Sequence, residues 1–425
     1  MPDPSHVSSG STPNVAYASR YTAGSALGFL PLPGVCRYLD REAARVAEVG
    51  VLGASALRKA AAIVVDAMVD PKDLRWLEQI ALASVPPEHR SFAREVIIAS
   101  AGQPIRNFRA DLLGDGTIAE LQCPGSGWGF VLALEEMQGV EAEQSQVVAT
   151  YRAWLDGRKA VWWLYNEGLT ASIRHLCAVC QAAGINLVAK TTDEFDPNDP
   201  ALGVVVKRPP LPMMVGMDKG RQLLARWMEG QVEMDPPPNV LFDSKHLLAL
   251  LHHPTTRDRF TPEERGLAHP TFLVESHDQT VSFANGVPGL TLRLGDIPNV
   301  TRDRCPVVLK YAGADYYNRF GGHAVYSMRH MRPEEREQIL TRALEEGGRG
   351  ESWVAQPFVE VKRRMEDYGL PPDDSKKAGR TYYVLYRPGY TVDPDGTARC
   401  IGSFMSLRLT WKVHGSSDTY FGLVC

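Results

Sequence analysis

One hairpin pattern constrains this chain most. Residues 108–122, Phe-Arg-Ala-Asp-Leu-Leu-Gly-Asp-Gly-Thr-Ile-Ala-Glu-Leu-Gln, surround Asp115-Gly116, a strong turn signal between strand-like runs. With those two residues as a two-residue loop, Leu113 faces Ile118, Asp111 faces Glu120 and Arg109 faces Gln122. Strand alternation then sets Arg109, Asp111, Glu120 and Gln122 on one face. Phe108, Ala110, Leu112, Ala119 and Leu121 take the other, against the core. Two carboxylates directly opposite each other repel. A divalent cation between them removes that cost, and hard oxygen ligands of this kind suit Mg²⁺. The neighbouring guanidinium suits phosphate. The pattern predicts a metal-plus-phosphate site; an exposed charged sheet face is the other reading these residues leave open.

The rest of the chain narrows the choice. Its 425 residues allow two or three packed units around a continuous core. A net charge of −4 and the lack of a Lys/Arg run give no reason to expect a nucleic-acid partner. No apolar run has the length of a membrane span, and no basic-then-apolar leader is visible. The seven cysteines are scattered and odd in number, a pattern of reduced thiols that points to the cytoplasm. Cys177 and Cys180 form a CxxC inside an apolar helix pattern with no second CxxC, so they read as helix core. His175, His252, His253 and His323 have no carboxylate or cysteine at ligand spacing and read as structural or solvated.

Residues 1–30 are rich in Ser, Pro, Gly and Ala and read as a loose arm. A helical region over 31–104 follows, with one long helix from Asp40 to about residue 69 and further helix to about 103, interrupted at Pro86-Pro87. The hairpin and the helix 142–156 fill residues 105–158. Strands at 160–165, 185–190, 203–207 and 239–242 alternate with helices at 171–183, 218–229 and 244–253, so residues 159–240 predict a parallel α/β layer. Residues 241–425 carry more strand: 306–310, 324–326, 353–359, 382–386 and 404–413. One helix interrupts them, from Pro333, with Glu334 and Glu335 in its first turn, to Gly347-Gly348.

Three further segments carry chemistry. In the first, Asn239-Val-Leu-Phe-Asp-Ser-Lys-His-Leu-Leu, Lys245 stands in the first turn of a helix, where it is unfavourable to the dipole. In the second, Lys310 ends the apolar run Val307-Val-Leu and is followed by a loop with Gly321-Gly322, whose backbone amides can cradle phosphate. In the third, Trp353-Val-Ala-Gln-Pro-Phe358, an apolar strand bears Gln356, with Val354 and Phe358 as walls for an adenine ring. Each alone also reads as ordinary structure: a solvated lysine, a hairpin loop, a core strand.

Taken in order, these segments resemble the circularly permuted ATP-grasp ligases, the group that includes the synthetase part of glutathionylspermidine synthetase. The resemblance spans roughly residues 105–425. It rests on an R-x-D at Arg109/Asp111, an E-x-N-like pair at Glu120/Gln122, Lys245 opening a helix, Lys310 ending a strand, Gly321/Gly322 in the flap and Gln356 on the strand beyond. The family has asparagine where this chain has Gln122, and the flap carries a bulky Asp315–Arg319 insert.

The resemblance implies an α/β (α+β) fold, ATP-grasp-like and circularly permuted, behind the N-terminal helical region. It implies an ADP-forming carboxylate–amine ligase that makes an amide through an acyl phosphate. Asp111, Glu120 and Gln122 would hold Mg²⁺. Lys245, Lys310, Gly321, Gly322, Gln356 and Phe358 would bind ATP. Arg109 would stabilise the transferring phosphoryl group, with Arg387 as a second catalytic residue; Arg387 and Arg408, on late strands, suit a substrate carboxylate or, equally, read as surface arginines. Small-molecule or peptide carboxylates and amines are the expected partners, with the N-terminal helices as substrate lid or homodimer surface. A small-molecule kinase on the same fold, or a non-catalytic scaffold with a decayed nucleotide site, are the alternatives.

Overall fold

The computed structural model describes residues 30–31, 36, 38, 40–123, 127–165, 170–239, 244–283, 290–313, 325–348, 351–368, 380–411 and 419–424. Most of the N-terminal arm, most of the 239–242 strand, the Gly321-Gly322 flap with its 315–319 insert, and His323 fall outside them.

Three helices lead the chain: α1 (Asp40–Val69), α2 (Arg75–Ala83) and α3 (Arg90–Ala99). Asp40 and Glu42 lie in the first turn of α1, where carboxylates favour the dipole. The buried stripe of α1 includes Val46, Val49, Gly50, Gly53, Leu57, Ala60 and Val64, at helical spacing. The glycines let this helix lie close on a sheet. A Cβ at Gly50 would stand 2.9 Å from the Tyr390 ring, and one at Gly53 3.1 Å from Phe108. Those two rings stack on each other with centroids 4.8 Å apart.

The hairpin forms as β1 (Asn107–Leu113) and β2 (Ile118–Gln122). Arg109 pairs with Gln122, and Asp111 with Glu120, as expected. Leu112, not Leu113, faces Ile118. The turn explains the difference. Leu113 N–H donates to Thr117 O at 2.8 Å, and Gly116 has φ 84°, so the loop is the three-residue type with glycine in the left-handed position. Ala119 is then an extra, bulged residue that restores the outer pairing.

Helices α4 (Trp128–Met137) and α5 (Gln146–Leu155) follow. Next come β3 (Lys159–Leu164), α6 (Thr170–Ala182), β4 (Leu187–Thr191), β5 (Leu202–Lys207), α7 (Asp218–Met228) and the short β6 (Glu233–Met234). The strands form a parallel sheet in the order β4-β3-β5-β6, as the alternating pattern predicts. The helix expected over 244–253 is only the five residues of α8 (His246–Leu250).

The later elements are β7 (Phe272–Leu273), β8 (Val307–Tyr311), β9 (Val325–Ser327), α9 (Pro333–Gly348), β10 (Trp353–Pro357), β11 (Lys362–Arg363), β12 (Tyr382–Val392), β13 (Ala398–Arg408) and β14 (Tyr420–Leu423). Strands β9-β8-β10-β7 make a small antiparallel sheet. The largest sheet runs β14-β13-β12-β1-β2, with Leu30–Pro31 parallel at the β14 edge and β11 beside β12. β13 ends at Arg408, short of the expected 413, and β12 runs well past 386.

The chain is thus a mixed α/β protein with several sheets. One face of the large sheet packs on α1 through Phe108, Ala110, Leu112 and Tyr390. The other carries Phe404 and Phe421, packed on Trp128 and Phe130 of α4. A third core lies between the small sheet and α9. Among the described residues, no helix is long and apolar enough to cross a membrane.

Candidate functional site

The charged face of the hairpin lies beside β12, which pairs with β1 on its free side. Pairing lapses between Tyr386, opposite Leu112, and Gly389, opposite Arg109. Pro388, which has no N–H to donate, falls in that gap. Arg387 stands there too, next to Asp111. Arg109 Nε donates to Asp111 Oδ1 at 2.9 Å, and Arg387 Nε lies 3.5 Å from Asp111 Oδ2. All three side chains are buried. The Arg387 guanidinium also donates to Ser406 Oγ at 2.8 Å and stands 5.4 Å above the Phe404 ring. The Arg109 guanidinium is 6.0 Å from the same ring. Aromatic faces therefore carry part of the charge that Asp111 alone does not balance. Burial lowers the pKa of Arg387, and Asp111 opposes that shift.

Lys310 arrives from the small sheet. The bulge leaves Ala119 unpaired in the hairpin ladder, and its carbonyl accepts from Lys310 Nζ at 3.1 Å. Burial lowers the Lys310 ammonium from 10.5 to about 8; Glu120 and Asp111 oppose the shift, and the nearby Lys245 adds to it. Lys310, Lys245, Asp111 and Glu120 therefore share one electrostatic neighbourhood between two sheets.

A buried clip fixes Lys245 there. Ser244 Oγ donates to Ala312 O at 2.7 Å, two residues past Lys310. Having spent its hydrogen, that oxygen accepts from His246 Nδ1, and His246 Nε2 accepts from Ser352 Oγ. Burial, with Lys245 alongside, drives the imidazole pKa down to about 3, so the ring stays neutral. Lys245 sits between the two clip residues of its own segment, just ahead of α8.

Other expected site residues are placed differently. Gln122 is half-buried opposite Arg109. Gln356 is buried, and its amide donates to Thr271 Oγ1 at 2.8 Å. Phe358 packs edge-on to His330 at 5.3 Å, under the Arg329 guanidinium. Val354 is buried with Ala249, Leu273 and Ala312, and its strand is paired on both sides at that point. It is a core residue, not a wall open to a ring. Arg408 pairs with Tyr383, two residue pairs along the sheet from the Ser406 level. Cys177 and Cys180 lie in the α6 core, where burial pushes both thiols up to about 12. His175 Nε2 lies 3.7 Å from Glu136.

Sequence reasoning missed four contributors. Phe404 and Ser406 meet Arg387 only through the β12–β13 register. Ser352 meets His246 only through the β8–β10 pairing. Gly127, at φ 101°, precedes α4, and a Cβ there would stand 3.2 Å from Arg109 Nη1; its one sequence signal is the Gly-rich run before Trp128.

In this arrangement Asp111, the first of the expected Mg²⁺ ligands, is committed to arginine partners. Both Asp111 oxygens face guanidiniums. The site instead gathers two guanidiniums and two ammoniums against two carboxylates, in a chain whose net charge is −4. Such a balance suits a polyanion.

No family model matches this chain, and no curated protein matches it. Among solved structures, it is similar to a glutathione synthetase-like effector from Globodera pallida, solved in apo form. The two share 11% identity over 98% of each chain, with a TM-score of 0.48.

Proposed function

We propose that this charged cluster binds the phosphates of ATP and that the chain is an ADP-forming carboxylate–amine ligase of the circularly permuted ATP-grasp type. One observation carries the nucleotide part: Arg109 and Arg387 from the large sheet, Lys310 from the small sheet and Lys245 from the start of α8 gather around Asp111 and Glu120. The ligase part rests on the order of motifs from Arg109 to Gln356.

A carboxylate is a poor acyl donor because its leaving group is an oxide; transfer of the γ-phosphoryl group converts it to an acyl phosphate. That transfer needs positioning and charge neutralisation more than covalent help. Lys245 and Lys310 would hold the non-transferring phosphates. Arg109 and Arg387 would meet the charge that develops on the transferred group and then on the tetrahedral adduct formed by the amine. No step is assigned to a metal.

Calorimetric titration of ATP and ADP, with and without Mg²⁺, into wild type and Lys310→Ala tests the site. Saturable binding lost in the variant is expected. ADP release with a product lighter than its reactants by one water supports ligation. A product heavier by a phosphoryl group makes the protein a kinase. The absence of binding favours a non-catalytic scaffold, the reading that the commitment of Asp111 to two arginines supports.

A further inference from the structure

A separate cavity of about 860 Å³ opens between α2 and α3 on one side and β7 and the end of α9 on the other. Its size is within the range of small-molecule sites, about 300–1,000 Å³, and exceeds what one amino acid fills. Trp76, Ile80, Leu273 and Leu344 supply apolar wall. Two charges stand out because their outer ends are left over by the fold. Arg90, at the start of α3, spends only its Nε, on Val85 O at 3.3 Å. Its terminal nitrogens have no partner among the described residues. Glu275, just past β7, has a carboxylate with no hydrogen bond or ion pair there either. Partial desolvation raises the Glu275 pKa. The other charged pair on the wall, Arg94 and Glu78, is already matched.

An unmatched cation on the helical wall and an unmatched anion on the sheet wall, with hydrocarbon between, are complementary to one chemical class. We propose that this cavity binds a short apolar peptide as a zwitterion, its carboxylate on Arg90 and its ammonium on Glu275. The proposal does not depend on the nucleotide reading, since neither residue belongs to the cluster around Asp111.

Titration of three probes into the full chain tests it: L-phenylalanyl-L-leucine, its N-acetyl form and its C-terminal amide. The free dipeptide is expected to bind with a Kd of about 1 mM or tighter, and each blocked form about tenfold more weakly. Arg90→Gln should abolish the discrimination against the amide only, and Glu275→Gln that against the acetyl form only. Both side chains are exposed, so unchanged thermal unfolding of the variants verifies an intact fold. No saturable binding of the free dipeptide overturns the proposal, as does discrimination that survives both substitutions.

Discussion

If an anion sits against Lys310, its binding must depend on pH in a calculable way. The free protein holds this ammonium at about 8 instead of 10.5, because burial strips its water and Lys245 stands nearby. A bound polyphosphate removes the disadvantage, so Lys310 regains its ordinary pKa in the complex. Below about pH 7 both forms are protonated and affinity is flat. As pH rises through 8 the free site loses its proton, and binding must bring one back. The loss grows until about 10.5, where the complex also deprotonates. The 2.5-unit gap sets a ceiling of about 3 kcal/mol. Lys310 is half-buried, so solvent screening trims this to about 1–2 kcal/mol, roughly five- to thirtyfold in affinity between pH 7 and 10. Titration of ATP at several pH values, in two buffers of different ionisation heat, measures both affinity and proton uptake. Lys310→Arg stays charged throughout and should flatten the profile. Flat wild-type affinity with no proton uptake above pH 8 would refute the reasoning.

Three further outcomes follow from the packing. Asp111→Ala leaves two buried guanidiniums without their carboxylate and should cost about 3–5 kcal/mol in urea unfolding; a purely metal-binding Asp111 would cost nothing in metal-free buffer. Asp235 is fully buried and its carboxyl is raised from 3.8 to about 7, chiefly by burial, so its unfolded form ionises first. Stability should therefore fall as pH rises from about 4 to about 7, by roughly 2–4 kcal/mol, and the unfolding midpoint of Asp235→Asn should lack that slope. Gly389→Ala drives a methyl group into the Trp128 ring and should cost about 1–3 kcal/mol or more, read as a drop in melting temperature.

The hairpin was legible because two signals agree: period-two alternation and an Asp-Gly turn. Its loop length was not, since Gly114-Asp115-Gly116 fits a two- or a three-residue loop equally well. The choice matters. The longer loop forces the bulge at Ala119, and the bulge frees the carbonyl that receives Lys310. Helix α4 escaped notice because its first seven residues are all buried, which erases the 3.6-residue periodicity. β12 read as shorter than it is because Pro388-Gly389 looks like a strand end. Here the proline occupies a lapse in pairing, and the missing side chain of Gly389 makes room for Trp128. The site was legible as an ordered set of charged residues. Their division of labour was not: the pairing of Asp111 with Arg387 depends on which strand lies beside β1, and nothing local encodes that.

The Ser244–His246–Ser352 clip has a consequence for the protein's lifetime. It holds the segments of Lys245 and Lys310 together although their ammoniums repel each other, and that repulsion costs the fold. An occupant removes that cost and adds RT ln(1 + [L]/Kd) to stability. The vacant chain is then the form that opens locally and is cut by proteases. If the occupant is the polyanion proposed above, the cellular amount of this protein rises and falls with that ligand's supply, before any reaction is considered.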